Sequence, residues 1–253
     1  MISVEKRAHV HTLVIDRPDA RNALNVEVVT GLSAALDAAE ADRECRVIVI
    51  TGRGDKAFCA GGDLKGNPFA SQPHDPRNPI AAMLSKLAAC RLPIVARVNG
   101  HALAGGLGLL CACDLAVAVD TAKLGVPEVG VGVFPMMIMP FLTRVVPARR
   151  LMELCLTGDP ITAQEALGYG LVNKVVPAAE LDAATDTLVA KLVSRSPTAI
   201  RLGKQGAHAM RDMALAEALD YAQLMIGVMA QTKDSAEGLA AFREKRDPNW
   251  SGT

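Results

Sequence analysis

Two stretches of this chain place glycine pairs directly after apolar runs: Phe58-Cys59-Ala60-Gly61-Gly62-Asp63-Leu64 and His101-Ala102-Leu103-Ala104-Gly105-Gly106-Leu107-Gly108. Glycine leaves main-chain N–H groups uncovered, so a ligand can come close to the backbone. At the second stretch those groups are expected to open a helix, whose free donors and dipole favour negative charge. The two stretches together outline an oxyanion-binding device. Each pair taken singly is more simply a steric need of a tight turn. Neither stretch has the G-x-G-x-x-G or G-x-x-x-x-G-K spacing that dinucleotide or phosphate cradles require. Asp63 reads as a local capping or loop group.

The elements that must position these residues are strands alternating with helices. The stretch from Val4 to Ile15 reads as one strand, closed by the turn signal Asp16-Arg17-Pro18-Asp19. Asn25 is a candidate N-cap for a helix burying Val28, Val29, Leu32, Ala35, Leu36 and Ala39. Val47-Ile48-Val49-Ile50 reads as a strand buried on both faces. Residues 66–79 carry four prolines and read as a mobile loop and candidate lid. Helices are then expected over 80–89, 106–112, 136–145, 149–156 and 163–169, with strands over 94–98, 115–119 and 171–176. Beyond Pro177 the pattern changes to four amphipathic helices, over 180–194, 198–211, 215–230 and 234–245. The reading is an α/β body followed by a helical tail, whose apolar faces suit packing on a neighbouring subunit.

Bulk properties narrow the function. The 253 residues suit one core with a modest appendage, and half of them are apolar. Lys plus Arg (27) equals Asp plus Glu (27), so no overall field draws in nucleic acid or an acidic membrane face. Met1 to Arg7 lacks the apolar region and cleavage site of a secretory signal, and a cytoplasmic protein is expected. The apolar stretch 102–118 is broken by Asp114 and thinned by glycines, so it reads as buried core and not as a membrane span. Six cysteines show no C-x-x-C and read as reduced, buried thiols. His9 and His11 share an expected strand face, but no third ligand is evident, and no metal site is expected.

The stretch Lys56 to Lys65, followed by Asn99-Gly100-His101-Ala102-Leu103-Ala104-Gly105-Gly106 and Cys113-Asp114-Leu115, resembles the paired signature of the crotonase (enoyl-CoA hydratase/isomerase) superfamily. The likeness continues in order through Leu124 to Gly132, Ala163 to Val176 and Phe242-Arg243-Glu244-Lys245-Arg246. The resemblance implies an α/β fold, a crotonase-like spiral of β-β-α units with a C-terminal helical oligomerisation region. The core would span residues 1–195 and the trimerisation region 196–253. It implies an acyl-CoA thioester substrate whose oxygen sits between the N–H groups of Gly62 and Gly105, with Glu128 exchanging a proton with substrate carbon. Lys56, Lys65 and Lys245 match positions near the adenosine and phosphate end of coenzyme A, and the Ala60 carbonyl a position near the adenine amino group. No separate cofactor is expected, since coenzyme A is part of the substrate. A homotrimer, or a hexamer of paired trimers, is implied.

Two departures bear on the reaction. Hydratases of this family commonly carry a second glutamate three residues after the oxyanion glycine, and Gly108 stands there. One base can still shift a double bond by taking a proton at one carbon and returning it at another, so isomerisation fits the visible residues somewhat better than hydration. Where relatives have a glycine-rich stretch, this chain has Phe134-Pro135-Met136-Met137-Ile138-Met139-Pro140, whose methionines could line an acyl pocket or simply fill core. Thioester hydrolysis, C–C cleavage, decarboxylation and non-catalytic acyl-CoA binding remain open alternatives.

Overall fold

A computed structural model describes residues 1–63, 65 and 78–253. The stretch expected as one strand is a hairpin, β1 (Ile2–Arg7) and β2 (Val10–Ile15), paired antiparallel. Its turn passes through Ala8 at φ 43°, a left-handed conformation that no glycine or asparagine announces in the sequence. Helix α1 (Val26–Ala41) forms as expected. The Asn25 side chain accepts from Val28 N at 3.0 Å, and the buried residues are the six anticipated. Leu32 and Leu36 are fully buried, each contributing about 2 kcal/mol by burial.

From β3 onward the chain repeats a unit: a strand in a large sheet, a short strand in a second sheet, then a helix. β3 (Val47–Gly52) leads to β4 (Ala57–Cys59) and α2 (Pro79–Ala89). β5 (Ile94–Val98) leads to β6 (His101–Leu103) and α3 (Gly105–Cys111). β7 (Leu115–Val119) leads to β8 (Lys123–Gly125) and a 3₁₀ turn over Pro127–Val131. There follow α4 (Met139–Val145), α5 (Ala148–Thr157), β9 (Ile161–Thr162), α6 (Ala163–Gly168) and β10 (Lys174–Val176). Among the described residues one sheet runs in the order β1-β2-β3-β5-β7-β10 and the other β4-β6-β8-β9. The architecture is the expected spiral of β-β-α units.

The two faces of β3 are both covered, as its unbroken apolar run requires. Ile48 and Ile50 enter the main core, while Val47 and Val49 pack with Val95 and Val189 beneath α7 (Leu181–Val193). The short strands β4, β6, β8 and β9 were not anticipated, because two or three residues are too few to show a period of two. Helix α4 begins at Met139, three residues later than expected. Pro140 sits in its first turn, where a missing N–H costs nothing. Residues 171 and 172 are buried but lie in the turn before β10. Of the expected loop 66–79, residues 66–77 lie outside the described residues. Pro79 opens α2 behind Asn78, whose side chain accepts from Ile80 N.

Helices α8 (Pro197–Met210), α9 (Leu215–Ala230) and α10 (Lys233–Glu244) close the chain. Lys204 on α8 ties them to the body, donating to Asp114 Oδ2 at 2.7 Å and to the Leu92 carbonyl at 2.8 Å. Asp234, 2 % exposed, accepts from Ser196 Oγ and from the backbone of Ser251 and Gly252, which pins the C-terminal residues against α8. No residue of α9 is buried. No described helix is long and apolar enough to cross a membrane.

Candidate active site

β4, β6 and β8 are parallel neighbours in the small sheet, so their carboxyl ends lie side by side. The residues just past those ends are Ala60-Gly61-Gly62, Ala104-Gly105 and Val126-Pro127-Glu128. The carboxyl edge of parallel strands is where open α/β sheets bind ligands. Gly62, Gly105 and Glu128 all line one cavity of ≈ 340 Å³ there, together with Ala60, Pro127 and Ile138. Residues spread from position 62 to position 128 of the chain are thereby brought to one place.

The direction of each amide follows from the hydrogen bonds of its neighbours. The Gly61 carbonyl accepts from Leu24 N at 2.7 Å, and Asp63 N donates to the Leu24 carbonyl at 2.9 Å. In a trans peptide C=O and N–H point in opposite directions. The Gly62 N–H, which shares a peptide with the Gly61 carbonyl, therefore points away from Leu24. The Ala104 carbonyl accepts from Leu107 N at 2.9 Å and Gly108 N at 3.2 Å, so it points into α3. The Gly105 N–H consequently points back out of the helix N-terminus. Neither amide has an acceptor among the described residues. The ideal Cβ position on Gly105 is 3.6 Å from Gly62 N, and that on Gly61 is 3.1 Å from Gly105 N. The two donors are close together.

Close packing holds them there. Gly61 has φ +96°, and a Cβ on it would meet the Ala104 Cβ at 2.6 Å. A Cβ on Gly106 would stand 2.0 Å from the Cys59 carbonyl oxygen, so α3 rests directly on the end of β4. Ala104 itself is held at φ 51° and ψ −128°, with its N–H donating to the Gly125 carbonyl. Such strain in a non-glycine residue persists only where surrounding contacts enforce it. On the other side Arg17 donates to Asp63 Oδ2 at 3.0 Å and to the Ala23 carbonyl at 2.7 Å. Asp63 also accepts from Lys65 N at 3.2 Å. Its hydrogen bond with Arg17 is the main reason its pKa is lowered from 3.8. Asp63 is the loop group expected, and it is held by Arg17, which the sequence reading missed because Arg17-Pro18 resembled only a turn.

Glu128 stands in the first turn of the 3₁₀ segment, and one of its carboxylate oxygens, Oε2, is buried without a hydrogen-bond partner. Burial is the main influence on its pKa and raises it from 4.5; a hydrogen bond from its own backbone opposes this more weakly. The fully buried Cys155 on α5 is close enough to feel the Glu128 charge, which adds to the effect of burial in raising its thiol pKa. Glycines fix the turn from behind. A Cβ on Gly158 would be 2.9 Å from Val129 Cγ1, and one on Gly125 would be 2.9 Å from Pro160 Cα.

The expected coenzyme-binding residues are less concentrated. Ala60 lines the cavity. Lys56 lines a separate depression of ≈ 280 Å³ with Arg21, Gly100 and His101. Lys65 is exposed, and its side chain is not part of the cavity lining. Lys245 is exposed at the end of α10, at φ 54°, and lines none of these pockets. His9 and His11 do not converge on a shared site. Their ring nitrogens bond the Glu44 carbonyl and Asp42 Oδ2 respectively. Cys59, at the end of β4, is buried, which pushes its thiol up to about 12, so it is no nucleophile.

A family model described as enoyl-CoA hydratase/isomerase matches residues 5–253. The chain belongs to that family. Among its relatives, the (E)-benzylidenesuccinyl-CoA hydratase of Thauera aromatica is 35% identical over 260 residues, covering 99% of each chain. The crotonyl-CoA hydratase of Syntrophomonas wolfei is 34% identical, covering 98% of this chain and 97% of its own. The crystal structure of an enoyl-CoA hydratase from Bacillus anthracis superposes with a TM-score of 0.94 at 33% identity, covering 100% of this chain and 99% of that one. The enoyl-CoA hydratase/isomerase family thus accounts for the spiral and its C-terminal helices. The distribution of chemistry among the residues is a separate matter.

Proposed function

We propose that this protein binds an enoyl-CoA thioester with its carbonyl oxygen between the N–H groups of Gly62 and Gly105, and that Glu128 moves the proton. The observation that carries the reading is that two amides without an acceptor among the described residues and a partly buried carboxylate line one cavity at the ends of three adjacent strands. A hydrogen beside a thioester carbonyl is too weakly acidic for a carboxylate unless the enolate oxygen is stabilised. Each preorganised donor is worth about 3 kcal/mol, or roughly 100- to 1,000-fold in rate. In double-bond migration, Glu128 takes a proton from C2 and the electron pair passes into a dienolate whose charge rests on the thioester oxygen. The same carboxyl returns the proton at C4, a C2=C3 double bond remains, and Glu128 is a carboxylate again. In hydration, Glu128 alone would have to take a proton from water as its oxygen bonds C3, then protonate C2. Isomerisation fits better a cavity that has Glu128 as its one carboxylate among the described residues.

Lys56, Lys65 and Lys245 are proposed to meet the nucleotide end of the coenzyme, with the Ala60 carbonyl near the adenine. Residues 196–253 are proposed as the trimerisation region, supported by the exposed Leu215, Leu219, Leu224 and Ile226 on α9. A cytoplasmic location, a homotrimer or paired trimers, and no cofactor beyond the coenzyme A of the substrate complete the proposal. The deciding experiment is α-carbon hydrogen–deuterium exchange in a saturated acyl-CoA, with Glu128→Gln as control. Exchange that depends on Glu128 is expected; exchange undiminished in the variant would refute its role.

A further inference from the structure

Gly108 lies one turn after Gly105 on α3, and a side chain there has nowhere to go. Its Cβ would be 2.1 Å from Ile138 Cγ2 and 2.7 Å from Ile138 Cβ, well inside the roughly 3.5 to 4.0 Å of ordinary carbon contact. Rotating the Ile138 side chain moves Cγ2 but not Cβ, so clearance demands backbone movement. That backbone is anchored on both sides. Ile138 N donates to the Pro135 carbonyl, and the Ile138 carbonyl accepts from Phe141 N and Leu142 N at the start of α4. Ile138 is 2 % exposed and lines the same cavity as Gly105 and Glu128.

We propose that Ile138 is a specificity-determining residue. It fills the volume a side chain at position 108 would need and keeps that wall of the cavity apolar. A carboxylate at that position, which could take a proton from water as the water oxygen bonds C3, is thereby excluded. Proton transfer between the carbons of the bound enoyl thioester is thereby favoured over addition of water. The inference rests on the enolate reading above and adds a second residue whose identity sets the outcome.

The test uses the full-length protein as Gly108→Glu, Gly108→Ala, Ile138→Gly and the double variants of each Gly108 change with Ile138→Gly. Readouts are melting temperature, hydration of 2-enoyl-CoA and isomerisation of 3-enoyl-CoA. Wild type should isomerise at least about tenfold faster than it hydrates. Gly108→Ala, which normally favours a helix, should lower the melting temperature by about 5 °C, and Ile138→Gly should suppress that loss. Gly108→Glu alone should gain no hydration. Combined with Ile138→Gly it should hydrate at least about tenfold faster than either single variant, within the range of an added general base.

A Gly108→Ala variant as stable as wild type overturns the inference. So does a double variant, Gly108→Glu with Ile138→Gly, that fails to fold or hydrates no faster than Ile138→Gly alone. Those results leave the enolate reading standing if wild type still isomerises. A wild type inactive on both thioesters overturns that reading, and this inference with it.

Discussion

A methyl group built on Gly105 would stand 3.6 Å from the Gly62 nitrogen, and its other nearest neighbours, Gly61 Cα and Leu24 Cδ1, are also at 3.6 Å. The fold has room for that methyl, but it would sit beside the amide proposed to bind the thioester oxygen. Gly105→Ala is therefore expected to fold with a melting temperature near wild type and to lose at least about 100-fold in turnover, as when an oxyanion donor is removed. Gly106→Ala makes the contrast. Its Cβ would be 2.0 Å from the Cys59 carbonyl oxygen, so it should fold poorly. Thermal melts alongside turnover assays separate the two effects, and an active Gly105→Ala enzyme would count against the paired-amide hole.

The Glu128 carboxyl is held above its ordinary 4.5 by burial, which gives pH-rate and stability expectations. As the acting base must be ionised, kcat/KM should rise with pH through a pKa above 4.5. The folded state binds the Glu128 proton more tightly than the unfolded state. Its stabilising contribution is thus complete below 4.5 and is lost as pH rises through the folded value. Glu128→Gln has no such loss, so its melting temperature relative to wild type should increase over that window. A parallel pair of Tm–pH curves would show that Glu128 is not desolvated.

Arg17 holds the Gly62 loop through Asp63, and both side chains are mostly buried. Arg17→Ala should reduce turnover about ten- to a hundred-fold by letting the Gly62 amide wander, since small misplacements are costly to catalysis. Asp63 has a lowered pKa, so its contribution to stability is present above 3.8 and lost as pH falls through the folded value. The melting-temperature gap between wild type and Arg17→Ala should consequently narrow in acid. A gap independent of pH would mean that Arg17 acts only through its bond to the Ala23 carbonyl.

Lys204 is 9 % exposed in its pairing with Asp114, whose side chain is 24 % exposed. Without Lys204, Asp114 is partly solvated and still accepts from Ile94 N at 2.7 Å, so what is lost is one charge-assisted hydrogen bond, about 1.5 kcal/mol. Lys204→Met should lower unfolding stability by roughly that amount in urea titration and loosen α8 from the body. A loss below about 0.5 kcal/mol would instead mark the pair as surface-like.

Much of this protein was legible from residue order. The Asn25 cap, the six buried residues of α1 and the doubly covered β3 follow from period and capping chemistry, which act over a few residues. The resemblance to the crotonase superfamily singled out Gly62, Gly105 and Glu128 because its motifs are short local stretches, and the fold brings these three residues to one cavity. The hairpin of β1 and β2 stayed hidden because its turn uses Ala8 at positive φ, a state enforced by strand pairing and not by residue preference. The strands β4, β6, β8 and β9 stayed hidden because each is too short to stabilise itself and exists only through its neighbours.

What the tertiary structure alone decided is direction and exclusion. An amide's heading depends on where the carbonyl of its own peptide is bonded. For Gly62 that is Leu24, nearly forty residues earlier, a pairing no local pattern encodes. Likewise Gly108 shows only that a glutamate is absent, whereas Ile138, thirty residues later, shows that the space for one has been filled. Local sequence specifies which groups are available, because propensity and periodicity are short-range. Long-range packing specifies what those groups face, because steric exclusion and hydrogen-bond partnership arise only when distant segments meet.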